Sequence, residues 1–203
     1  MANWNGAVAS REELRELKRQ AALKIAARIF NLKGYHATSL DEIADEIGVT
    51  KTALYYYFKN KEQLLYECLK QTYDCGQTAR LEAEKLEGSS FEKLQHLYRC
   101  FVERLLEHSG AYTTMTNIRS LPEAQQAELL ECRRRLDCYS RMLIERAIAE
   151  GALRPVDVSL TSNFFLGAMN WILRWHSEEE GVSPRYAGEH FLDLFMNGIV
   201  AKA

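Results

Sequence analysis

Long apolar runs, paired cysteines and a strong net charge are all missing from this chain of 203 residues. No stretch approaches the ~18 consecutive apolar residues that a membrane span needs. The opening residues have neither the cationic start nor the apolar run of a signal peptide. A formal charge of -2 excludes a uniformly basic, histone-like protein but is compatible with local basic patches. We therefore expect a cytoplasmic protein with no membrane partner.

Cysteine chemistry offers no recognisable site. The five cysteines make an odd count, with no Cys-x-x-Cys motif and no histidine at zinc-finger spacing. We expect reduced and mostly buried thiols rather than a disulfide framework. Cys68 and Cys75 are seven residues apart and would share one helix face, which leaves a thiol sensor as an alternative.

Catalytic and cofactor motifs are absent as well. The sequence contains no Gly-x-Ser-x-Gly, no phosphate-binding loop and no His-Glu-x-x-His. The paired Glu-x-x-His motifs of di-iron helix bundles are also missing. We predict that the protein is not an enzyme and has no catalytic residues, no metal site and no cofactor.

Helical periodicity dominates what is present. Only three prolines and 11 glycines interrupt the chain, and apolar residues between them recur at helical spacing. Capping boxes, each a serine followed three residues later by a glutamate, mark helix starts at Ser10 and Ser39, and Gly34 and Gly48 end those helices. Further helices are predicted after the caps Thr50 and Asn60 and near 90–108, 122–150, 157–176 and 184–200, with Ser90, Ser120, Asp157 and Ser183 as caps.

The stretch 40–59 has the spacing of a helix-turn-helix motif. Ala44 is small enough for two helices to approach, Gly48 tolerates the positive φ of the turn, and Leu54 fills the shared core. Acidic residues of the first helix are unfavourable beside phosphate, so we expect this set to face away from DNA: Asp41, Glu42, Asp45 and Glu46.

The helix that starts at Lys51 turns Leu54 and Phe58 inward by their spacing of four. Its opposite surface then carries side chains that can meet base edges or phosphates: Lys51, Thr52, Tyr55 and Tyr56. Lys61 begins the next helix, where its ammonium and the free amides both favour a phosphate. The alternative interpretation is an aromatic core with solvated lysines, and we expect Tyr57 to be partly core.

Three segments, 34–39 (GYHATS), 43–50 (IADEIGVT) and 54–64 (LYYYFKNKEQL), resemble the amino-terminal domain of TetR-family regulators. The resemblance covers roughly residues 15 to 66. It implies a homodimeric, all-helical repressor of a palindromic operator in double-stranded DNA, whose later helices dimerise and bind a small-molecule effector. It also implies that Thr38 and Ser39 approach the DNA backbone. With the cap residue Thr50, the predicted DNA-contacting set is Thr38, Ser39, Thr50, Lys51, Thr52, Tyr55, Tyr56 and Lys61.

The predicted architecture is all-α, with a three-helix DNA-binding domain followed by a larger helical domain for ligand binding and dimerisation. We place the first domain at 1–62, with 1–10 as a flexible tail, and the second at 63–203. Charge supports this division, since 1–62 carry ten Lys and Arg against eight Asp and Glu, while 63–203 carry 16 against 20.

Residues 160 to 175 carry apolar side chains nearly all round the predicted helix, so one chain would leave part of it uncovered. A symmetric partner is the simplest cover, and the alternative is monomer core. The predicted dimer interface comprises Phe165, Ala168, Ile172, Phe191 and Phe195. Asn163, Asn170 and Arg174 are polar exceptions that could face a ligand, the dimer mate or internal partners.

Segment 166–171 with Trp175, followed by 181–184, is similar to the carboxy-terminal region of TetR-type regulators that sense fatty acyl-CoA or related thioesters. That resemblance implies an apolar acyl slot with an arginine for phosphates. The predicted ligand-binding residues are Phe101, Leu105, Tyr112, Met115, Tyr139, Phe164, Asn170, Trp171 and Arg174. Aromatic cations, or a metal or redox signal at Cys68, Cys75, Cys100 or His96, are the alternative effectors.

Overall fold

The computed structural model describes residues 10–107, 115–175 and 183–199, with the backbone alone at 115–116, 170–175, 184 and 199. Eight α-helices and a short 3₁₀ helix are present in these ranges, which confirms the all-α prediction. They are α1 (Arg11–Lys33), α2 (Leu40–Ile47), α3 (Lys51–Tyr55), α4 (Lys61–Lys85), α5 (Ser90–Glu107), the 3₁₀ helix (Met115–Ser120), α6 (Glu123–Ala149), α7 (Val158–Trp175) and α8 (Pro184–Ile199). The predicted flexible tail lies outside the described residues except for Ser10.

Local capping explains where the first helices begin. The backbone amides of Glu13 and Glu42 donate to the hydroxyls of Ser10 and Ser39, each at 3.1 Å, and both glutamates return the bond to the cap amide. α2 ends at Gly48, whose φ of 77° lies in the left-handed region that suits glycine. The predicted capping boxes and glycine turn are therefore confirmed.

Two later caps differ from the prediction. Ser89, not Ser90, accepts the amide of Glu92 at 3.2 Å, while the hydroxyl of Ser90 donates to Glu150 at 2.6 Å. α6 begins after Pro122 without a side-chain cap, and the hydroxyl of Ser120 lies 3.2 Å from a ring nitrogen of His36. Ser90 and Ser120 were wrong as caps because each has a tertiary partner.

Two hydrophobic cores share α4. The first core joins α1, α2 and α3 to the beginning of α4 and also takes Ile118, Leu121 and Leu129 from the region of the 3₁₀ helix and α6. The second core joins the remainder of α4 to α5, α6, α7 and α8. α4 therefore links the three amino-terminal helices directly to the larger group of helices that follows.

The centre of the second core is a stacked pair of rings. Tyr98 of α5 and Phe165 of α7 lie with ring centroids 3.4 Å apart and planes within 14° of parallel. The buried Tyr98 hydroxyl is 2.5 Å from the hydroxyl of Ser140, which in turn accepts from Ser162 at 3.1 Å. This chain of hydroxyls satisfies polar groups that would otherwise be costly to bury.

None of the helices in the described ranges combines the length and the apolar composition needed to cross a bilayer.

Phe30→Ala and Leu32→Ala give a matched test of the first core. Phe30 is 2% exposed, so its truncation is expected to lower the free energy of unfolding by about 3–5 kcal/mol. Leu32, two residues on, is 75% exposed, and its truncation should change that free energy by less than about 0.5 kcal/mol. Urea denaturation followed by circular dichroism measures both, and equal losses would contradict the assigned inward face of α1.

Candidate DNA-binding surface and effector domain

α2 and α3 pack at an angle around a small buried core. Ile43, Ala44 and Leu54 contribute to it from the two helices, and Phe58 seals it just beyond the end of α3. The amide of Val49 donates to the Ala44 carbonyl at 2.9 Å, which closes the turn between the helices. This arrangement is a helix-turn-helix that presents one surface of α3 outward.

The outward surface of α3 carries most of the predicted DNA-contacting residues. The side chains of Lys51, Thr52, Tyr55 and Tyr56 are exposed. Thr50 is also exposed, although its hydroxyl caps α3 by accepting the amide of Ala53 at 3.2 Å. The neighbouring Tyr57 differs from the exposed Tyr55 and Tyr56, because it packs against the first core as expected.

Lys51 is already paired in the free protein. Its ammonium lies 2.7 Å from the carboxylate of Asp41, and this hydrogen bond raises the pKa of Lys51. Asp41 therefore lies beside a predicted DNA contact, although the acids of α2 were expected to face away from DNA. Glu42 and Glu46 instead bind cations of α1, namely Lys33 at 2.6 Å and Arg28.

Three other predicted DNA contacts have competing roles. Thr38 is 3% exposed and donates its hydroxyl to the Gly34 carbonyl at 2.9 Å, and the Ser39 hydroxyl caps α2. The ammonium of Lys61 lies 4.3 Å from the centre of the Tyr35 ring, and partial burial lowers the pKa of Lys61. A phosphate would have to draw Lys61 away from a favourable cation–π contact.

Arg15 is a basic neighbour of this surface that sequence reasoning missed. Its guanidinium lies 5.4 Å from the centre of the exposed Tyr56 ring. Arg15 belongs to α1, far from Tyr56 along the chain, so no local periodicity could have brought the two together.

The predicted ligand-binding residues fall into three groups. Phe101 and Leu105 are buried in the second core, and Tyr139 is half-buried beside it. The side chains of five predicted residues lie outside the described part, namely Tyr112, Met115, Asn170, Trp171 and Arg174. Ile172, predicted at the dimer interface, also lies outside it.

The structure exchanges the predicted places of two adjacent phenylalanines. Phe164, predicted in the pocket, is 68% exposed, whereas Phe165, predicted at the dimer interface, is 1% exposed and stacked on Tyr98. The half-buried members of the predicted interface pack against the second core of one chain: Ala168, Phe191 and Phe195. The inward face of α7 is therefore rotated by about one residue from the one predicted.

Leu160 of α7 and Leu194 of α8 lie on the same outward face as Phe164. Both leucines are exposed, and the Phe164 ring is stacked with Phe195 at a centroid distance of 6.2 Å. A groove of roughly 450 Å³ runs along these side chains and has Arg154 at its edge. The apolar side chains of the two helices line this groove together with the polar residues Asp157 and Thr161.

The two cysteines considered as a thiol sensor do not share an environment. Cys68 lies in the first core and Cys75 in the second, because the seven-residue spacing spans the junction of the cores along α4. Burial raises the pKa of the Cys68 thiol far above its ordinary value and that of Cys75 to about 11. Both thiols are protonated at neutral pH, which makes them poor nucleophiles.

A helix-turn-helix joined through a long helix to a separate helical domain defines a DNA-binding transcriptional regulator. The family described as "Bacterial regulatory proteins, tetR family" matches residues 22–68, and "Tetracyclin repressor-like, C-terminal domain" matches residues 87–199. The chain belongs to the TetR family of transcriptional regulators.

Relatives resemble the chain along most of its length. The HTH-type transcriptional repressor KstR2 of Mycolicibacterium smegmatis is 27% identical over 196 residues, which cover 90% of each chain. The structure of ketosteroid transcriptional regulator KstR2 of Mycobacterium tuberculosis shares the fold, with TM-score 0.80 and 23% identity over 97% of this chain and 98% of that one. AibR in complex with isovaleryl coenzyme A and operator DNA also shares it, with TM-score 0.68 and 24% identity over 89% and 97%.

Asp41→Asn tests whether the Lys51 pair restrains DNA binding. The substitution frees the ammonium and is expected to raise affinity for operator DNA up to about fivefold, since an exposed ion pair contributes at most about 1 kcal/mol. Fluorescence anisotropy with an operator selected from random duplexes measures the change. Asp45→Asn is the control, because it removes an equal charge from α2 and leaves the pair intact. Equal gains in both variants would contradict a specific role for Asp41.

Proposed function

We propose that this protein is a homodimeric repressor that binds a palindromic operator and releases it when a small hydrophobic effector binds. The observation that carries the proposal is one exposed reading surface per chain, on α3, combined with an apolar outer face on α7 and α8. The single α3 surface requires another copy of the chain for full operator recognition. The outer face of α7 and α8 provides a place for that copy to bind.

The DNA-binding part of the proposal follows from the size of α3. A helix of five residues can read only a short half-site, so a useful operator needs two such helices. A twofold dimer places them one helical turn apart, about 34–36 Å, on a palindrome. We assign Lys51, Thr52 and Tyr55 to base edges, and Thr50 and Tyr56 to phosphates.

The remaining predicted contacts take supporting roles in this proposal. Thr38 and Ser39 order the turn before α2 and approach the DNA backbone. Lys61 supplies a phosphate contact at the start of α4 once its ammonium leaves the Tyr35 ring. These contacts position the protein on the duplex but carry no sequence information.

The dimer part of the proposal rests on the outward face of α7 and α8. Leu160, Phe164 and Leu194 form a contiguous exposed apolar patch, of the kind that marks association sites on monomers. A twofold axis brings the same patch from each subunit together, and two helices per subunit then pack as a four-helix seam. A second copy is the occupant that also satisfies the need for two reading helices.

Phe164→Asp combined with Leu194→Asp tests the interface. Two carboxylates on the patch are expected to convert the dimer to monomer in native mass spectrometry, because burial of unpaired charge opposes association. Operator affinity should fall at least about tenfold, while binding to excess nonspecific DNA persists through α3.

Leu81→Asp is the control for the interface variant. Leu81 is an exposed leucine on α4 and not on α7 or α8, and its substitution should leave the dimer intact. A wild-type protein that is monomeric at micromolar concentration, or a double variant that remains dimeric, would contradict the proposed interface.

We assign the effector to the class of fatty acyl-CoA or related CoA thioesters. Support comes from the aromatic and aliphatic second core, in which Phe101 and Leu105 are buried and against which the half-buried Tyr139 packs. It also comes from AibR, a relative in fold whose structure contains isovaleryl coenzyme A. The further residues assigned to this site are Tyr112, Met115, Asn170, Trp171 and Arg174.

Release of DNA follows from differential affinity. The effector must bind more tightly to the dimer whose α3 helices have the wrong separation for the operator, since only that difference can shift the population. α4 connects the second core to the reading surface and is the element through which the shift reaches α3.

A panel of effectors tests the class. Acyl-CoA thioesters of graded chain length are expected to lower operator affinity about 5- to 150-fold, the usual range of coupling between sites. Free coenzyme A and the matching fatty acids are the controls and should have little effect. Native mass spectrometry of freshly purified protein should show the same class of mass adduct on the dimer.

Two outcomes of the panel would contradict the acyl-CoA assignment. Release by tetraphenylphosphonium, with none by the thioesters, would establish an aromatic-cation sensor instead. Release only after thiol oxidation or alkylation would establish a redox sensor, which the burial of Cys68 and Cys75 opposes.

A further inference from the structure

Three side chains of different donor chemistry converge between α4 and α5. Glu82 lies on α4, and His96 and Cys100 lie one turn apart on α5. The carboxylate, imidazole and thiol each offer an atom, and the three atoms lie within 4.8 Å of one another. All three residues are half-buried, so the cluster is neither a solvated surface run nor a sealed part of the core.

The hydrogen-bond distance between the sulfur of Cys100 and a ring nitrogen of His96 also suits two ligands of one metal ion. Cys100 Sγ lies 3.4 Å from His96 Nε2. With zinc–sulfur bonds of about 2.3 Å and zinc–nitrogen bonds of about 2.0 Å, two tetrahedral ligands lie roughly 3.5 Å apart. The i, i+4 spacing on a helix therefore presents two ligands at the required distance without backbone movement.

The third predicted ligand, Glu82, already binds a cationic side chain. Arg104, one turn beyond Cys100, donates to the Glu82 carboxylate at 2.5 Å. The side chains of Arg104 and Glu82 are 32% and 40% exposed, so breaking their ion pair costs little free energy. Glu82 can then turn from the guanidinium to an ion held by His96 and Cys100.

We propose that Glu82, His96 and Cys100 bind a thiophilic divalent cation of the zinc type. Thiolate, imidazole and carboxylate are the three ligand types that zinc takes in proteins, and water completes the tetrahedron. The ion would fasten α4 to α5 between the second core and solvent. The proposal does not depend on the acyl-CoA assignment made above.

Cobalt titration of the full-length protein, after chelator treatment and with a non-thiol reductant present, tests the site. Wild-type protein is expected to bind about one Co²⁺ per chain with a thiolate-to-cobalt charge-transfer band that Zn²⁺ abolishes by displacement. Cys100→Ser should remove the band, and His96→Ala or Glu82→Gln should weaken Co²⁺ binding at least about tenfold.

Arg104→Gln and Cys138→Ser complete the test. Removing the competing guanidinium should strengthen Co²⁺ binding, an effect that a merely structural role of Arg104 would not produce. Cys138 is an exposed free cysteine outside the cluster, so its substitution should leave the band unchanged. Thermal unfolding of each metal-free variant establishes that it is folded.

Three results would overturn the proposal. The first is the absence of stoichiometric Co²⁺ binding by the folded wild-type protein. The second is a charge-transfer band that survives Cys100→Ser, and the third is a band that disappears in Cys138→Ser instead. Either of the last two would place the thiolate ligand elsewhere.

Discussion

The buried face of α4 is the constraint on which the rest of the structure depends. Near its start, Leu64, Leu65 and Leu69 close the first core, and farther along Ala79 and Ala83 enter the second. A helix of 25 residues spans about 37 Å. Because buried side chains of α4 belong to both cores and protein interiors are closely packed, a shift of α4 in one core disturbs the other. In the proposed function, this shared packing is what couples the effector site to DNA.

The positive charge of the proposed DNA-binding face only weakly offsets the net negative charge of the protein. The cations near α2 and α3 are largely committed within the protein, as with Lys51 to Asp41 and Lys33 to Glu42. Each of these pairs is exposed and individually weak, so DNA can compete with Asp41 for Lys51. In the proposed complex, Lys51 exchanges its internal ion pair for contacts with DNA.

Helical periodicity alone does not predict which side chains of α7 point into the second core. A helix that is apolar on nearly every side, such as α7, has no distinctive polar face, so the choice between Phe164 and Phe165 as the inward residue is not encoded in its pattern. The stack of Phe165 on Tyr98 and the hydroxyl chain through Ser140 decide it. The same limit applies to Glu82, since the spacing of His96 and Cys100 says nothing about a neighbouring helix.

Local interactions were enough to predict the helices, the turn at Gly48 and the outward face of α3. A capping serine, a glycine at positive φ and an i, i+4 apolar pair act within a few residues, and all three are visible in the primary structure. Only the tertiary structure decided which serines cap and which pair elsewhere, which phenylalanine is buried, and that Asp41 holds Lys51. Those outcomes depend on contacts between elements distant in the chain, where packing and hydrogen bonding choose among faces of similar composition.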